Sequence, residues 1–227
     1  MNQKTLALIH TGTFLVPVFA ELVKETMPHV RVFNIVDESL LHNTIAAKRL
    51  TPLTARRLAG YIESAEEAGA DVIMVTCSSV GPAVEASWPF AAVPVLRVDQ
   101  PMADEAVRVG RRIGVIATLP TTLQPTADLV RARAAAQGRD VEIVEHLCEG
   151  AFEAVSSGDG ETHDRIVAAG LRDLMGQVDA VVLAQASMAR VVDSLPAEEK
   201  TTPIFSSPRL GLEAARKALE GGFDIEP

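Results

Sequence analysis

Hydrophobic positions along this chain fall in short, nearly uninterrupted runs separated by longer amphipathic stretches. Runs near residues 5–10, 30–36, 71–76 and 93–98 are rich in Val, Ile and Leu and largely apolar on both faces. That is the pattern of strands covered by helices on both sides. Runs near 112–117, 140–145, 179–184 and 203–206 repeat the plan. Between the first four strands, the spacing predicts helices over 14–27, 52–69 and 79–88. Thr51 reads as a cap with Pro52 in the first turn, where a proline needs no amide partner, and Gly69 fits the end of the same helix. Glu63, Glu66 and Glu67 mark its solvated face.

The chain is also written twice. Asp71-Val72-Ile73-Met74-Val75-Thr76-Cys77-Ser78-Ser79-Val80 resembles Asp179-Ala180-Val181-Val182-Leu183-Ala184-Gln185-Ala186-Ser187-Met188. The same shift sets Thr5–Ile9 against Ile113–Ala117, and one residue more aligns Pro94-Val95-Leu96 with Pro203-Ile204-Phe205. Three matches in one order imply two pseudo-equivalent halves. Alternating strands and helices imply an α/β fold of two doubly wound domains, each with a four-stranded parallel sheet. Ligands in such sheets bind beyond the carboxyl ends of the strands. In the first half these ends are His10–Thr13, Asp37–Leu41, Thr76–Ser79 and Arg97–Gln100. In the second they are Thr118–Thr122, His146–Glu149, Ala184–Ser187 and Ser206–Arg209. The expected active site is the cleft where the two sets of loops face each other.

Composition narrows the function. A chain of 227 residues buries enough surface to fold without a disulfide or metal staple. The formal net charge of -9 repels phosphate backbones, so nucleic acid is an unsuitable partner. Its two cysteines and five histidines show no metal-ligand spacing, there is no G-x-G-x-x-G fingerprint, and the reading is a reduced, cytoplasmic protein. The start, with its lysine, apolar stretch and Val18-Phe19-Ala20, mimics a secretory leader, but His10, Thr11, Gly12 and Thr13 interrupt the run and the repeat needs residues 5–10 as a strand. No other stretch is long and apolar enough to span a bilayer, so no membrane partner is expected.

Val75-Thr76-Cys77-Ser78-Ser79-Val80-Gly81 carries the clearest chemistry. It sets a thiol at the carboxyl end of a buried strand, just before a helix, where amides stabilise an anion. An ordinary thiol is only about 3% thiolate at pH 7, while a pKa of about 6.5 would make it roughly 75% thiolate. The same amides, with Thr76, Ser78 and Ser79, could hold a substrate carboxylate; the alternative is a small buried cysteine that packs. Thr11-Gly12-Thr13 opens a helix after the first strand, its glycine allowing close backbone approach. Thr118, Thr121 and Thr122 form the corresponding turn, with helix capping as the alternative. His10 suits proton transfer because imidazole titrates near neutrality, although a satisfied structural histidine is the commoner case. Asp37, Glu38, Ser39 and His42 could reach the site or simply be solvated, and Arg190 and Arg209 could offer bidentate carboxylate contacts.

The two halves, their length and the Thr-Cys-Ser at the third strand's end resemble the aspartate/glutamate racemase superfamily, which includes hydantoin racemases and arylmalonate decarboxylases. The resemblance spans essentially the whole chain. It implies a cofactor-independent enzyme, a small carboxylate-bearing substrate and a homodimer. It also implies a last helix that returns to the first domain, giving domains 1–100 plus 209–227 and 101–208. In the family two cysteines at equivalent strand ends move protons on opposite faces of a carbon. Here Gln185 stands where the second is expected, in Leu183-Ala184-Gln185-Ala186-Ser187-Met188, and an amide is no general base. Gln185 is therefore read as a hydrogen-bond donor, with Ala186 and Ser187 beside the substrate and Cys148 as packing. Three functions follow: a racemase or epimerase with Cys77 as acid/base, a lyase or decarboxylase with Cys77 as single proton donor, or a non-catalytic carboxylate-binding protein.

Overall fold

The computed structural model describes residues 3–221. These contain eight strands: β1 (Thr5–His10), β2 (Arg31–Val36), β3 (Val72–Val75), β4 (Val95–Arg97), β5 (Arg112–Ala117), β6 (Glu142–Leu147), β7 (Ala180–Leu183) and β8 (Ile204–Ser206). The helices are α1 (Leu15–Thr26), α2 (Glu38–Ala46), α3 (Pro52–Glu67), α4 (Gly81–Ser87), α5 (Gln100–Val109), α6 (Pro120–Ala136), α7 (Ala151–Ser156), α8 (Gly160–Met175), α9 (Ala189–Ser194) and α10 (Ser207–Leu219). The strands form two parallel four-stranded sheets, ordered β2-β1-β3-β4 and β6-β5-β7-β8. Contacts divide the chain into two compact units, residues 3–99 with 208–221 and residues 100–207.

Each sheet is a buried slab. In the first, Ala7, Ile9, Ile73, Val75 and Val95 pack with Leu58 and Ile62 of α3 and Leu40 of α2. In the second, Ile116, Val181 and Leu183 pack with Val167, Leu171 and Leu174 of α8. Fully burying a side chain of this size contributes about 1.5–3 kcal/mol. The edge strands β2 and β6 depart from the expectation of two apolar faces, since both are only partly buried.

Thr51 accepts from the Thr54 amide at the start of α3, Pro52 occupies its first turn, and Gly69 adopts φ +85° just past its end. Other boundaries differ from the sequence reading. Segment 37–41, read as a loop, is the start of α2, with the Asp37 carboxylate capping it at the Ser39 amide. The helix expected from 79 begins as a single 3-10 turn, Ser78–Val80, before α4. Strand β6 lies about two residues later than expected, so His146 and Leu147 belong to it and Cys148 follows.

The repeat is also corrected by one residue. Leu6 pairs with Val72 and Ile113 with Ala180, so Leu6, not Thr5, is the counterpart of Ile113. Thr11 therefore matches Thr118, and His10 matches Ala117. Each repeated aspartate has a visible task. The Asp71 carboxylate accepts the Thr5 amide and the Asp179 carboxylate accepts the Arg111 and Arg112 amides, latching the starts of neighbouring strands.

Candidate active site

In both sheets the chain turns one way after the first strand and the other way after the third. The crevice beyond β1 and β3, or beyond β5 and β7, is thus the topological switch point where such sheets bind ligands. In the first unit Thr11 and Cys77 meet there. The sulfur is hydrogen-bonded by the Thr11 hydroxyl, the Ser79 and Val80 amides and the Ser79 side chain. These donors favour the thiolate, but removing the sulfur from water has the larger effect and raises the Cys77 pKa above the ordinary value. The sequence expectation of a lowered pKa is corrected for that reason. A single 3-10 turn follows the thiol, and burial outweighs its amides. At neutral pH the resting group is the thiol.

Several expected anion binders are already engaged. Thr76 turns into the sheet, its hydroxyl meeting His10 Nδ1 at 2.7 Å and lying 3.2 Å from the Ile9 carbonyl. Gly12 lies under the ring of Phe14, where a Cβ would come within 2.6 Å of Phe14 Cε1. Its lack of a side chain accommodates the protein's own phenyl ring. Thr13 donates its amide and its hydroxyl to Glu38 Oε1, at 3.1 and 3.0 Å. Ser78 and Ser79 are buried in the turn after Cys77.

His10 is fully buried, its ring 5.5 Å from that of Phe19. Nε2 lies 2.9 Å from Asn34 Oδ1, which assigns the proton to Nε2 and leaves Nδ1 to accept from Thr76. Burial lowers its pKa, so the ring is neutral at pH 7. Both nitrogens are used, and this geometry is that of the structural histidine and not of a free acid/base. A surface cavity between α1 and β1–β2 has Asn34 in its wall and holds none of the expected site residues.

In the second unit Gln185 stands at the strand end that matches Cys77. Its Oε1 accepts the Thr118 amide at 2.6 Å and its Nε2 donates to the Thr118 hydroxyl at 2.7 Å. The expected free donor is thus closed on its own strand-end neighbour. Ala186 and Ser187 begin the 3-10 turn that follows. Leu119, with no side-chain bond, is the N-cap of α6, so the threonines do not cap it. The Thr121 hydroxyl is buried without a partner among the described residues. Cys148 is buried, and desolvation pushes its thiol up to about 11. Arg190 binds Asp164 and Arg209 binds Glu25 of α1, so both are occupied by carboxylates of the protein. Asp37 and Ser39 hold Arg57, with Tyr61 donating to Asp37, and His42 is exposed near Glu38.

At the end of β4 the structure shows a buried ion-pair cluster that the sequence reading did not foresee. Arg97 ends β4 with a side chain 2% exposed, and its Nε and NH2 donate to the two oxygens of buried Asp99 at 3.0 and 2.9 Å. Its third arm reaches Glu85 of α4, and the guanidinium lies against Gly81 where any Cβ would collide. The available signal was an arginine at the end of an apolar strand with a carboxylate two residues on. Among the described residues, no group of three or more His, Cys, Asp or Glu is placed to hold a metal ion. None of their helices is long and apolar enough to cross a membrane.

Solved structures share this plan of two parallel four-stranded sheets. An allantoin racemase from Klebsiella pneumoniae superposes with a TM-score of 0.73 at 17% identity, covering 99% of this chain and 91% of that one. A glutamate racemase isoform from Bacillus anthracis gives 0.72 at 17%, covering 98% and 84%. Picrophilus torridus aspartate racemase gives 0.70 at 14%, covering 95% and 94%. No curated protein sequence matches the chain. The model of the Asp/Glu/hydantoin racemase family matches residues 9–215, and the chain belongs to that family.

Proposed function

We propose that the protein is a cofactor-independent racemase or epimerase that moves a proton at a carbon next to a carboxylate or carbonyl, with Cys77 as the acid/base. What carries the reading is the thiol at the first sheet's switch point, met by the Thr11 hydroxyl and the Ser79 and Val80 amides. A sulfur in that position alternates between thiol and thiolate, and the donors around it offset part of the cost of its charge. The substrate carboxylate is assigned to the turn that follows the thiol, at Ser78 and Ser79. Family membership supports a homodimer of a reducing compartment, which sedimentation and localisation would check.

The test is solvent exchange. Candidate carboxylates and cyclic amides are incubated in D₂O and their C–H signals followed by NMR. Exchange is expected with the wild type, and Cys77→Ala should lower its rate about 10²- to 10⁴-fold, the usual worth of a positioned acid/base. Full exchange by the variant would sink the assignment.

One observation favours a second reading. Gln185 is tied to Thr118 on both sides of its amide, and the resting Cys77 is a thiol. A single proton donor suits a lyase that protonates a carbanion after decarboxylation. Loss of CO₂ from the substrate would select this reading, and unchanged mass would exclude it.

A further inference from the structure

Cys77 as acid/base leaves the substituent on the reacting carbon undefined, and the turn after β1 bears on it. Thr13 offers an amide and a hydroxyl that would suit a ligand carboxylate, yet Glu38 takes both through one oxygen. Glu38 is the first residue of α2, and Asp37, which caps that helix, is fixed by Arg57 and Tyr61. The carboxylate is therefore presented from a braced helix end. Its charge persists at neutral pH, because the Thr13 amide and hydroxyl hold the Glu38 carboxyl below the usual carboxylate range. Arg57, the nearby arginine, spends itself on Asp37 and Ser39.

Phe14 supplies an independent observation. Its ring lies against Gly12, beside the threonine that reaches Cys77, and 56% of the residue is exposed. Val18, one helical turn on, is 43% exposed. An exposed aromatic ring beside a fixed anion attracts apolar and cationic groups and repels carboxylates.

We propose that Glu38 and Phe14 select the substrate of this site, admitting compounds whose substituent on the reacting carbon is apolar or cationic and rejecting those that carry a second carboxylate, such as aspartate and glutamate. The inference rests on the Cys77 reading for its location. It needs no group outside the first unit.

Two measurements test it together. α-Proton exchange in D₂O is followed for carboxylates with acidic, aliphatic, aryl and cationic side chains, using wild type, Glu38→Gln and Phe14→Ala. Binding of the same compounds to Cys77→Ala is measured by calorimetry. The wild type should favour apolar or cationic members over aspartate and glutamate by about tenfold in kcat/KM, the scale of one like-charge repulsion near a surface. Glu38→Gln should erase most of that ratio through KM for the acidic compounds, and Phe14→Ala should weaken the apolar and cationic members, the aryl ones most. Equal handling of acidic and apolar compounds by the wild type, or an unchanged ratio in Glu38→Gln, overturns the selection. Flat preference with exchange that needs Cys77 leaves the acid/base role standing. Selective binding with no exchange in any compound overturns the acid/base role and leaves the selection. Neither binding nor exchange overturns both.

Discussion

The strand ends of the two units share one backbone plan and differ in what they hold. Asp71 donates its amide to Thr5 and Asp179 to Arg112, Thr76 to Ile9 and Ala184 to Ile116, Asp37 to His10 and Cys148 to Ala117. On that common frame one unit brings a thiol to a threonine hydroxyl, while the other folds an amide back onto its threonine. The difference extends to the end of the fourth strand. Gly81, Arg97 and Asp99 form a buried clamp in the first unit, and their counterparts are Ala189, Ser206 and Pro208. Main-chain geometry thus tolerates replacement of the strand-end group, and the buried Arg97–Asp99 pair has no charged counterpart at Ser206 and Pro208.

The sharpest way to break the comparison is at the clamp. Arg97→Leu leaves the carboxylate of Asp99 buried and unpaired, which is expected to cost about 3–5 kcal/mol of unfolding free energy. Ser206→Ala at the matching strand end should cost less than about 1 kcal/mol. Urea denaturation of both variants reads the contrast, and similar losses would mean the two strand ends are supported alike.

Thiol reactivity comes next. Burial raises the Cys77 pKa, so below that value the sulfur is mostly protonated and its small thiolate fraction grows with pH. Alkylation by iodoacetamide should climb about tenfold per pH unit, roughly 100-fold or about 2.7 kcal/mol between pH 6.5 and 8.5, without levelling. Cys77→Ala isolates Cys148, which is buried with a thiol at about 11 and should react far more slowly. A plateau already reached at pH 7 would show that the amides outweigh burial.

Gln185 sharpens the other side. Gln185→Ala removes both bonds to Thr118, leaving a strand-end amide to find water, at an expected cost of about 1–2 kcal/mol. Thr11→Val in the first unit should cost less, because the Ser79 and Val80 amides still meet the sulfur. The reverse order in thermal denaturation would make Thr11, not Gln185, the stabilising partner.

These contrasts also show what a sequence can carry. Val- and Ile-rich runs reveal buried parallel strands because their periodicity is set by burial, and a local signature such as Thr51-Pro52 with Gly69 survives folding unchanged. Helix α2 was hidden because its cap, Asp37, looks the same as a solvated loop aspartate. Cys77 was legible as a thiol at a strand end, but its pKa depends on how deeply the sulfur is enclosed, which no spacing encodes. Thr76, Thr13 and Gly12 were legible as polar or small residues near a site, yet His10, Glu38 and Phe14 already fill their hydrogen bonds or space. Sequence position names the crevice. Competition among the protein's own side chains decides what remains open to a ligand.

The smallest effect falls on the feature the two units share most fully. Asp71 and Asp179 both have carboxyls held below the ordinary range, Asp71 first by Lys4 and then by the Thr5 amide, Asp179 by the Arg112 and Arg111 amides. A carboxyl depressed in the folded state contributes stability above its unfolded pKa, about 3.9, and loses it as pH falls through the folded value. Asp71→Asn and Asp179→Asn should therefore each lower the Tm slightly at pH 7 and flatten its fall in acid. Their salt dependence should differ. The Lys4 ion pair is exposed and screened at high ionic strength, so the Asp71 effect should shrink in 1 M salt, while that of Asp179 rests on backbone donors and should persist. Equal shrinkage would mean that charge, and not the amide latch, is what the two units have in common.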